Sequence, residues 1–151
     1  MIISRILIII YILLAGWNMP NLDSIDQYFQ YAQEIAVYQD DDSIIYNIGS
    51  PQYTEIINTI NELCADSHEM PAFGVSIHSE TMEALESGLW LEFRFNQTYT
   101  HNDMPFSRLL IEIKADYTGF NIIRYNYGKY DGRCYYINLT HDMSNLYALF
   151  V

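Results

Sequence analysis

Three stretches in the middle of the chain alternate apolar and polar residues with a period of two. They span residues 73–78, 89–96 and 108–114. This period is typical of β-strands that bury one face. Two further strands are predicted at 120–127 and 133–139, because the loop between them has the glycine-containing chemistry of a hairpin turn. The pattern therefore predicts a largely antiparallel sheet in the second half of the chain.

Apolar residues recur with helical spacing after residue 50. Gly49, Ser50 and Pro51 supply a break, an N-cap and a proline in the first turn, which is a usual start of a helix. The residues that follow on one stripe are Tyr53, Ile56, Ile57, Ile60, Leu63 and Cys64. We predict a main helix over residues 51–65 whose apolar stripe packs on the sheet.

Shorter elements are predicted around the main helix and the sheet. They are a helix at residues 24–36, a strand at 44–48, and short helices at 79–87 and 142–150. The end of the first helix is open, because residues 35–38 could instead form a strand.

The order of these elements predicts the fold class. The last strands have no crossover helices between them, which argues against a doubly wound parallel sheet. We predict an α+β fold, with an antiparallel, curved β-sheet and the main helix packed on one face. Residues 18–151 have the usual length of one domain, and no linker or repeat divides them.

The first seventeen residues combine one arginine with an apolar run. Arg5 precedes the run over residues 6–17, and no lysine or arginine follows until Arg94. A short basic region before roughly 7–15 apolar residues is typical of a secretory signal, and positive charge stays on the cytoplasmic side. We predict that residues 1–17 are a signal peptide or membrane anchor and that the rest is exported: secreted, periplasmic or on the cell surface. The alternative is that the run packs in the domain's own core.

The acidic residues are concentrated in one half of the chain. The net charge is −12, and residues 18–87 contain thirteen aspartates and glutamates but no lysine or arginine. Residues 88–151 contain six acids and six bases, which balance. Such a chain has no basic stripe for a nucleic-acid backbone and is unsuited to anionic lipid. A cationic partner, such as a basic protein, is compatible with this charge.

Two cysteines, Cys64 and Cys134, stand far apart in the sequence. In an oxidising compartment they could form one disulfide, and the alternative is two separate buried thiols. No cysteine or histidine cluster has the spacing of a zinc site, so we expect no metal and no cofactor.

Two groups of residues are candidates for binding. The first is the outward row of the predicted strand at 89–96, where Trp90 and Arg94 flank Glu92 and could meet Arg108, Glu112 and Lys114 of the next strand. A tryptophan beside an arginine is a common composition of binding hot spots. The alternatives are a charge ladder on a solvated sheet face and, if a helix covers that face, a tryptophan that belongs to the core. The second is a tyrosine-rich hairpin, whose candidate residues are Tyr125, Tyr127, Tyr130, Arg133 and Tyr135.

No catalytic residue is predicted. Each of the four histidines has an acid nearby in sequence, but nineteen acids make such neighbours common by chance. The chain has no HExxH, no GxSxG and no glycine-rich phosphate loop. We expect a small exported or tethered binding domain, of the inhibitor or immunity type, that engages a protein partner through its acidic or tyrosine-rich surface. A small extracytoplasmic hydrolase and a structural cell-surface component are the alternatives.

Overall fold

The computed structural model describes residues 21–151. The predicted leader, residues 1–17, and the beginning of the predicted domain lie outside the described residues. None of the helices within the described range is long and apolar enough to cross a membrane.

Strands make up most of the regular structure between residues 21 and 151. They are β1 (Glu34–Gln39), β2 (Asp42–Asn47), β3 (His68–Met70), β4 (Val75–Ser76), β5 (Leu89–His101), β6 (Met104–Glu112), β7 (Gly119–Tyr125), β8 (Gly132–Arg133) and β9 (Tyr135–Asn138). The helices are a 3₁₀ helix (Ile25–Tyr31), α1 (Pro51–Leu63), α2 (His78–Ala84) and α3 (Ser144–Tyr147).

Seven strands form one open antiparallel sheet in the order β2-β1-β5-β6-β7-β9-β3. The long strand β5 lies near the middle, where Phe93 pairs with Ile35 of β1 and with Leu109 of β6. The two short strands β4 and β8 pair with each other outside this sheet. The predicted α+β fold with an antiparallel sheet is confirmed.

Helix α1 covers one face of the sheet. The Ser50 hydroxyl accepts a hydrogen bond from the Tyr53 backbone N–H at 3.3 Å, which caps the first turn as predicted. The buried side of the helix consists of Tyr53, Ile56, Ile57 and Ile60. This side joins the sheet residues Ile35, Leu91, Phe93, Leu109 and Ile111 in the main hydrophobic core. The main helix is therefore confirmed, and it ends at Leu63.

The opposite face of the sheet is also covered, which was one of the alternatives that the sequence pattern left open. Its residues Trp90, Leu110 and Ile123 pack with Leu85, from the segment after α2, and with Tyr130 and Cys134 in a second hydrophobic cluster. The alternative of a solvated charge ladder on this face is wrong, because α2 and the 126–134 segment lie over it. The sheet is thus the middle of three layers.

Three local predictions need correction. The helix predicted at 24–36 is a shorter 3₁₀ helix that ends at Tyr31. The alternative of a strand at residues 35–38 is confirmed, because Ile35 and Val37 pair with Phe93 and Leu91 of β5. The strand at 73–78 shrinks to two residues, and its apolar side chains point outward. The strand at 133–139 divides at Cys134 into β8 and β9, whereas β3 was not predicted.

The two cysteines are free and buried on different faces of the sheet. Cys64 lies in the main core and Cys134 in the second cluster, so the Cys64–Cys134 disulfide is not formed in this structure. Burial raises the pKa of the Cys64 thiol to about 12, and burial likewise raises the pKa of Cys134. Both thiols are neutral at physiological pH.

We expect both cysteines to resist alkylation in the native protein, because neutral buried thiols are poor nucleophiles. Iodoacetamide at pH 8 should add to neither thiol until denaturant is present, and then to both without prior reduction. Intact mass measures the additions. If the denatured protein reacts only after a reductant is added, the conclusion that both cysteines are free thiols is contradicted.

The second hydrophobic cluster is tested by two neighbouring leucines of β6. Leu109 faces the main core and Leu110 faces the second cluster, and both are fully buried. We expect Leu109→Ala and Leu110→Ala each to lower the free energy of unfolding by about 2–5 kcal/mol, as cavity formation in a core does. Urea denaturation measures both. A solvated second face would make Leu110→Ala nearly neutral.

Candidate functional site

A glutamate is completely buried on the second face of the sheet. Glu92 lies in β5 between Ala36 of β1 and Leu110 of β6, and none of its surface is exposed. Removing a carboxylate from water is unfavourable by several kcal/mol unless charges and hydrogen bonds compensate. The partners of Glu92 therefore determine whether this layer is stable.

Four side chains from three strands and a loop surround this carboxylate. Arg94 Nε donates to Glu92 Oε1 at 2.8 Å, and Arg108 Nη1 donates to the same oxygen at 3.4 Å. The Tyr38 hydroxyl lies 3.4 Å from Oε1, and the Tyr130 hydroxyl donates to Oε2. These five residues form the Glu92 cluster. Antiparallel pairing explains the assembly, because Arg108 lies directly opposite Arg94 on the same sheet face.

The two phenols of the cluster are neutral. Burial, followed by the Glu92 charge, raises the pKa of Tyr130 well above its usual range. Burial and the Glu92 charge also raise the pKa of Tyr38, against the opposing effect of Arg94. Each protonated hydroxyl can donate to the carboxylate, while Arg94 Nη2 donates to the Tyr38 oxygen at 2.9 Å. Arg94 also pairs with Glu34 at 3.6 Å.

A cavity of about 490 Å³ opens above the Glu92 cluster. We call it the arginine cavity, since Arg108 is the basic residue among those that line it. Its lining comprises Tyr38, Asp41, Asp42, Ser43, His78, Met82, Leu85, Glu86, Arg108, Tyr125, Gly128 and Tyr130. The Arg108 guanidinium lies 4.5 Å from the centre of the Tyr125 ring, a cation–π geometry that fixes its orientation.

Helix α2 and the loop over residues 126–131 contact each other at this cavity. The His78 ring stacks on Tyr130 with centroids 5.7 Å apart, and its Nδ1 accepts the Tyr130 backbone N–H at 3.1 Å. The His78 backbone N–H donates to Asp131 Oδ1 at 2.6 Å. This hydrogen bond lowers the pKa of the Asp131 carboxyl below its usual range, and a second hydrogen bond from Lys129 lowers it further. Hydrogen bonds and ring stacking thus join the two segments, α2 and the 126–131 loop, that lie over the second face.

The structure separates Trp90 from the arginine cavity. Trp90 is buried, and its indole N–H donates to the Ser87 carbonyl at 2.9 Å. It lines a second cavity of about 360 Å³ with Tyr117, Tyr136 and the carboxylates of Glu112 and Asp116 among others. The predicted pairing of Trp90 with Arg94 as one exposed row is wrong, because both belong to a covered layer.

The tyrosine-rich hairpin is likewise divided between the two faces. Tyr125 and Tyr130 belong to the second face, whereas Tyr135 is buried on the first, where its hydroxyl oxygen lies 2.9 and 2.7 Å from the carbonyl oxygens of His101 and Met104. Tyr127 is 89% exposed. Arg133 is exposed and donates to the Ala72 carbonyl at 3.0 Å.

The structure therefore brings Arg94, Tyr125 and Tyr130 together around a glutamate that the sequence placed on a solvated row. Tyr38 was missed as a site residue because its strand assignment was open. Glu92 lies between Leu91 and Phe93, and this position in a strongly apolar strand was the available signal.

The histidine–carboxylate contact of the described chain lies elsewhere. His101 Nε2 is 2.9 Å from both carboxylate oxygens of Glu69, and Glu69 Oε2 also accepts the Ile25 backbone N–H at 3.0 Å. Neither His101 nor Glu69 lines the two cavities described above. This pair connects the 3₁₀ helix, β3 and the β5–β6 turn, and its members are distant in sequence rather than neighbours as the histidine motifs suggested.

Two tyrosines of the same hairpin test the energetics of the Glu92 cluster. We expect Tyr130→Phe to lower the free energy of unfolding by about 1.5–3 kcal/mol, since it removes a buried hydrogen bond to a charged group. Tyr127→Phe is the matched control and should change little, because Tyr127 is exposed. Urea denaturation at pH 7 compares them. Equal effects of the two substitutions would contradict the cluster.

The raised pKa of Tyr130 also predicts a pH dependence. Stability from the neutral phenol is complete below about pH 10, the ordinary tyrosine value, and is lost as pH rises above it, since only the unfolded state ionises readily. We expect Tyr130→Phe to make the alkaline loss of stability shallower by up to about 1.4 kcal/mol per pH unit. Denaturation between pH 9 and 11.5 measures the slope. An unchanged slope would contradict this assignment.

Comparison of the chain with protein-family models, curated proteins and solved structures found no match. The site offers a fixed guanidinium, neutral phenols and a cavity beneath a layer that joins the acidic half of the chain to the tyrosine-rich hairpin.

Proposed function

We propose that the chain is an exported or membrane-tethered binding domain that engages a cationic protein partner. The contact surface in this proposal is the outer layer, which we define as β4, α2, β8 and the 126–131 loop. This surface combines the two alternatives that the sequence left open, because the outer layer contains parts of the acidic half and of the tyrosine-rich hairpin.

The inverted pattern of β4 is the observation that carries the proposal. The Ser76 hydroxyl points inward and hydrogen-bonds to the carbonyl oxygens of Tyr130 and Gly132. The apolar side chains on either side of it face solvent, with Phe73, Val75 and Ile77 exposed by 65%, 71% and 50%. A strand that serves only its own fold buries its apolar side, so this arrangement favours an external contact.

The turn at the tip of the hairpin supports the same surface. Asn126 and Lys129 form a bridge around Tyr127 and Gly128, whose φ angles are +52° and +81°. Such a turn favours asparagine and glycine, and a bulky side chain in the left-handed region is unfavourable by about 1–2 kcal/mol. Tyr127 is exposed and its side chain contributes little to the core. Folding alone does not account for a tyrosine at this position, whereas a contact with a partner does.

The charge of the surface selects the kind of partner. Within residues 21–151, only two of the thirteen acids of the first half have a basic side chain within 4 Å, namely Glu34 beside Arg94 and Glu69 beside His101. The outer layer itself exposes Glu80 and Glu83 beside the apolar side chains. Its two bases, Lys129 and Arg133, are engaged with Asp131 and with the Ala72 carbonyl. A partner that presents basic residues around an apolar centre matches this composition.

The proposal is tested with the natively produced protein and a double substitution of the exposed apolar residues on either side of Ser76. We expect Val75→Asp with Ile77→Asp to reduce recovery of a basic partner from native extract by about tenfold or more, as loss of a hot spot does. Ile44→Asp with Ile48→Asp is the matched control, because these residues are similarly exposed, at 55% and 52%, in and just after β2. Quantitative mass spectrometry after cross-linking measures the recovery, and urea midpoints verify folding.

Equal recovery by both double variants would contradict the outer layer as the contact surface. Self-association that Val75→Asp with Ile77→Asp abolishes, without any partner, would favour the structural cell-surface component instead. Cell fractionation together with intact mass tests the compartment. Recovery from the cytosol with residues 1–17 intact and no membrane association would contradict export.

A further inference from the structure

The arginine cavity has opposite charges at its two ends. Arg108 lies at one end, opposite Arg94 on the neighbouring strand. Asp42 pairs with Gln39, which lies opposite Leu89, five positions along β5 from Arg94. At about 3.3 Å per residue, these two levels of the sheet are about 16 Å apart. Asp42 of β2 and Arg108 of β6 are also three strands apart across the sheet, so the cavity connects a basic end to an acidic end diagonally.

The basic end of the cavity has N–H groups of Arg108 that are available to a ligand. Within residues 21–151, Arg108 donates to Glu92 alone, through Nη1, although a guanidinium has five N–H donors. The Glu92 carboxylate is shared with Arg94, which has Glu34 as a second acid. Counted with Glu34, the two arginines and the two glutamates balance in charge. Arg108 therefore offers a ligand N–H donors that are unused within the described residues, and its stacking on Tyr125 holds the fork in place. A fixed guanidinium of this kind recognises a carboxylate.

The acidic end consists of Asp41, Asp42 and Glu86, all of which are exposed. No ion pair within the described residues reaches any of the three. Their combined charge repels a multiply charged anion and attracts an ammonium group. The acidic end therefore favours a ligand with a single negative group and a distant positive one.

The walls between the two ends are largely apolar. Tyr125, Tyr130, Met82 and Leu85 supply aromatic and aliphatic surface along the cavity. The volume of about 490 Å³ lies within the range of small-ligand sites. Such walls accommodate a methylene or similarly apolar spacer.

We propose that the arginine cavity binds a long-spaced zwitterion, in which a carboxylate and an ammonium group are joined by an apolar chain. The carboxylate contacts Arg108 and the ammonium contacts the carboxylates at the acidic end. This site lies beneath the proposed partner surface, and residues of α2 and the 126–131 loop line it. The exposed apolar side chains Phe73, Val75 and Ile77 do not line the cavity, so substitutions there test the partner proposal separately.

The test uses three probes of equal length and the full chain. We expect 8-aminooctanoate to bind at least about tenfold more tightly than octanoate or octylamine, because each of these lacks one charged contact. Phosphate should bind weakly, and 3-aminopropanoate should bind weakly because it is too short to bridge the ends. Isothermal titration calorimetry measures the affinities.

Two variants separate the ends of the cavity. Arg108→Gln should weaken 8-aminooctanoate and octanoate by about tenfold and leave octylamine unchanged. Asp41→Asn with Asp42→Asn should weaken 8-aminooctanoate and octylamine but not octanoate, and asparagine tolerates the positive φ of residue 41. Lys114→Gln is the control for loss of a surface charge outside this cavity, and Val75→Asp with Ile77→Asp should leave all affinities unchanged.

Undetectable binding of 8-aminooctanoate at millimolar concentration by the folded wild-type protein would overturn the proposal. An equal response of all three probes to Arg108→Gln would also overturn it, as would phosphate binding as tightly as 8-aminooctanoate. Loss of partner recovery in the β4 variant with unchanged 8-aminooctanoate affinity would keep the two proposals distinct.

Discussion

The burial of one carboxylate constrains the whole second layer of this protein. Glu92 is fully enclosed at the centre of the sheet, and an unpaired charge there would destabilise the fold strongly. Its compensation comes from Arg94 and Arg108 on the sheet and from hydroxyls of Tyr38 and Tyr130. Tyr130 reaches the carboxylate only when the 126–131 loop lies over the sheet. The polar cluster therefore couples the position of the loop to the sheet.

This coupling explains how one sheet has two differently built faces. The first face packs against α1 through aliphatic and aromatic side chains, with few polar groups to satisfy. The second face combines a smaller apolar cluster with the Glu92 cluster and the hydrogen bonds between His78, Tyr130 and Asp131. Apolar packing tolerates small shifts, whereas hydrogen bonds and ion pairs require defined positions. The second face is accordingly the one that holds a shaped cavity with oriented charges.

Because polar contacts attach the second layer, the apolar residues Phe73, Val75 and Ile77 are exposed at its surface. The second layer is attached through Ser76, His78 and Asp131, so the outward side chains of β4 are not needed for its attachment. Three bulky side chains and Tyr127 remain in solvent beside exposed carboxylates. High negative charge keeps such a surface soluble and discourages self-association. These features support the proposal that the domain binds a basic partner.

The sequence by itself determined the local elements and the main core. Ser50 and Pro51 start α1, and the stripe from Tyr53 to Ile60 has the helical period that buries it, because capping and periodicity act within a few residues. The alternation at 89–96 likewise predicts β5. The charge asymmetry is also a property of composition alone.

Only the tertiary structure decided which side of each strand meets water and which residues form the site. The alternation around Val75 predicts a buried apolar side, yet β4 is attached through Ser76 and exposes its apolar residues. Glu92 was placed on a solvated row, yet α2 and Tyr130 enclose it. A period of two identifies two faces of a strand without saying what covers each. Tyr130, which donates to Glu92, lies 38 positions from it in the sequence, and contacts over such separations depend on the packing of the whole chain.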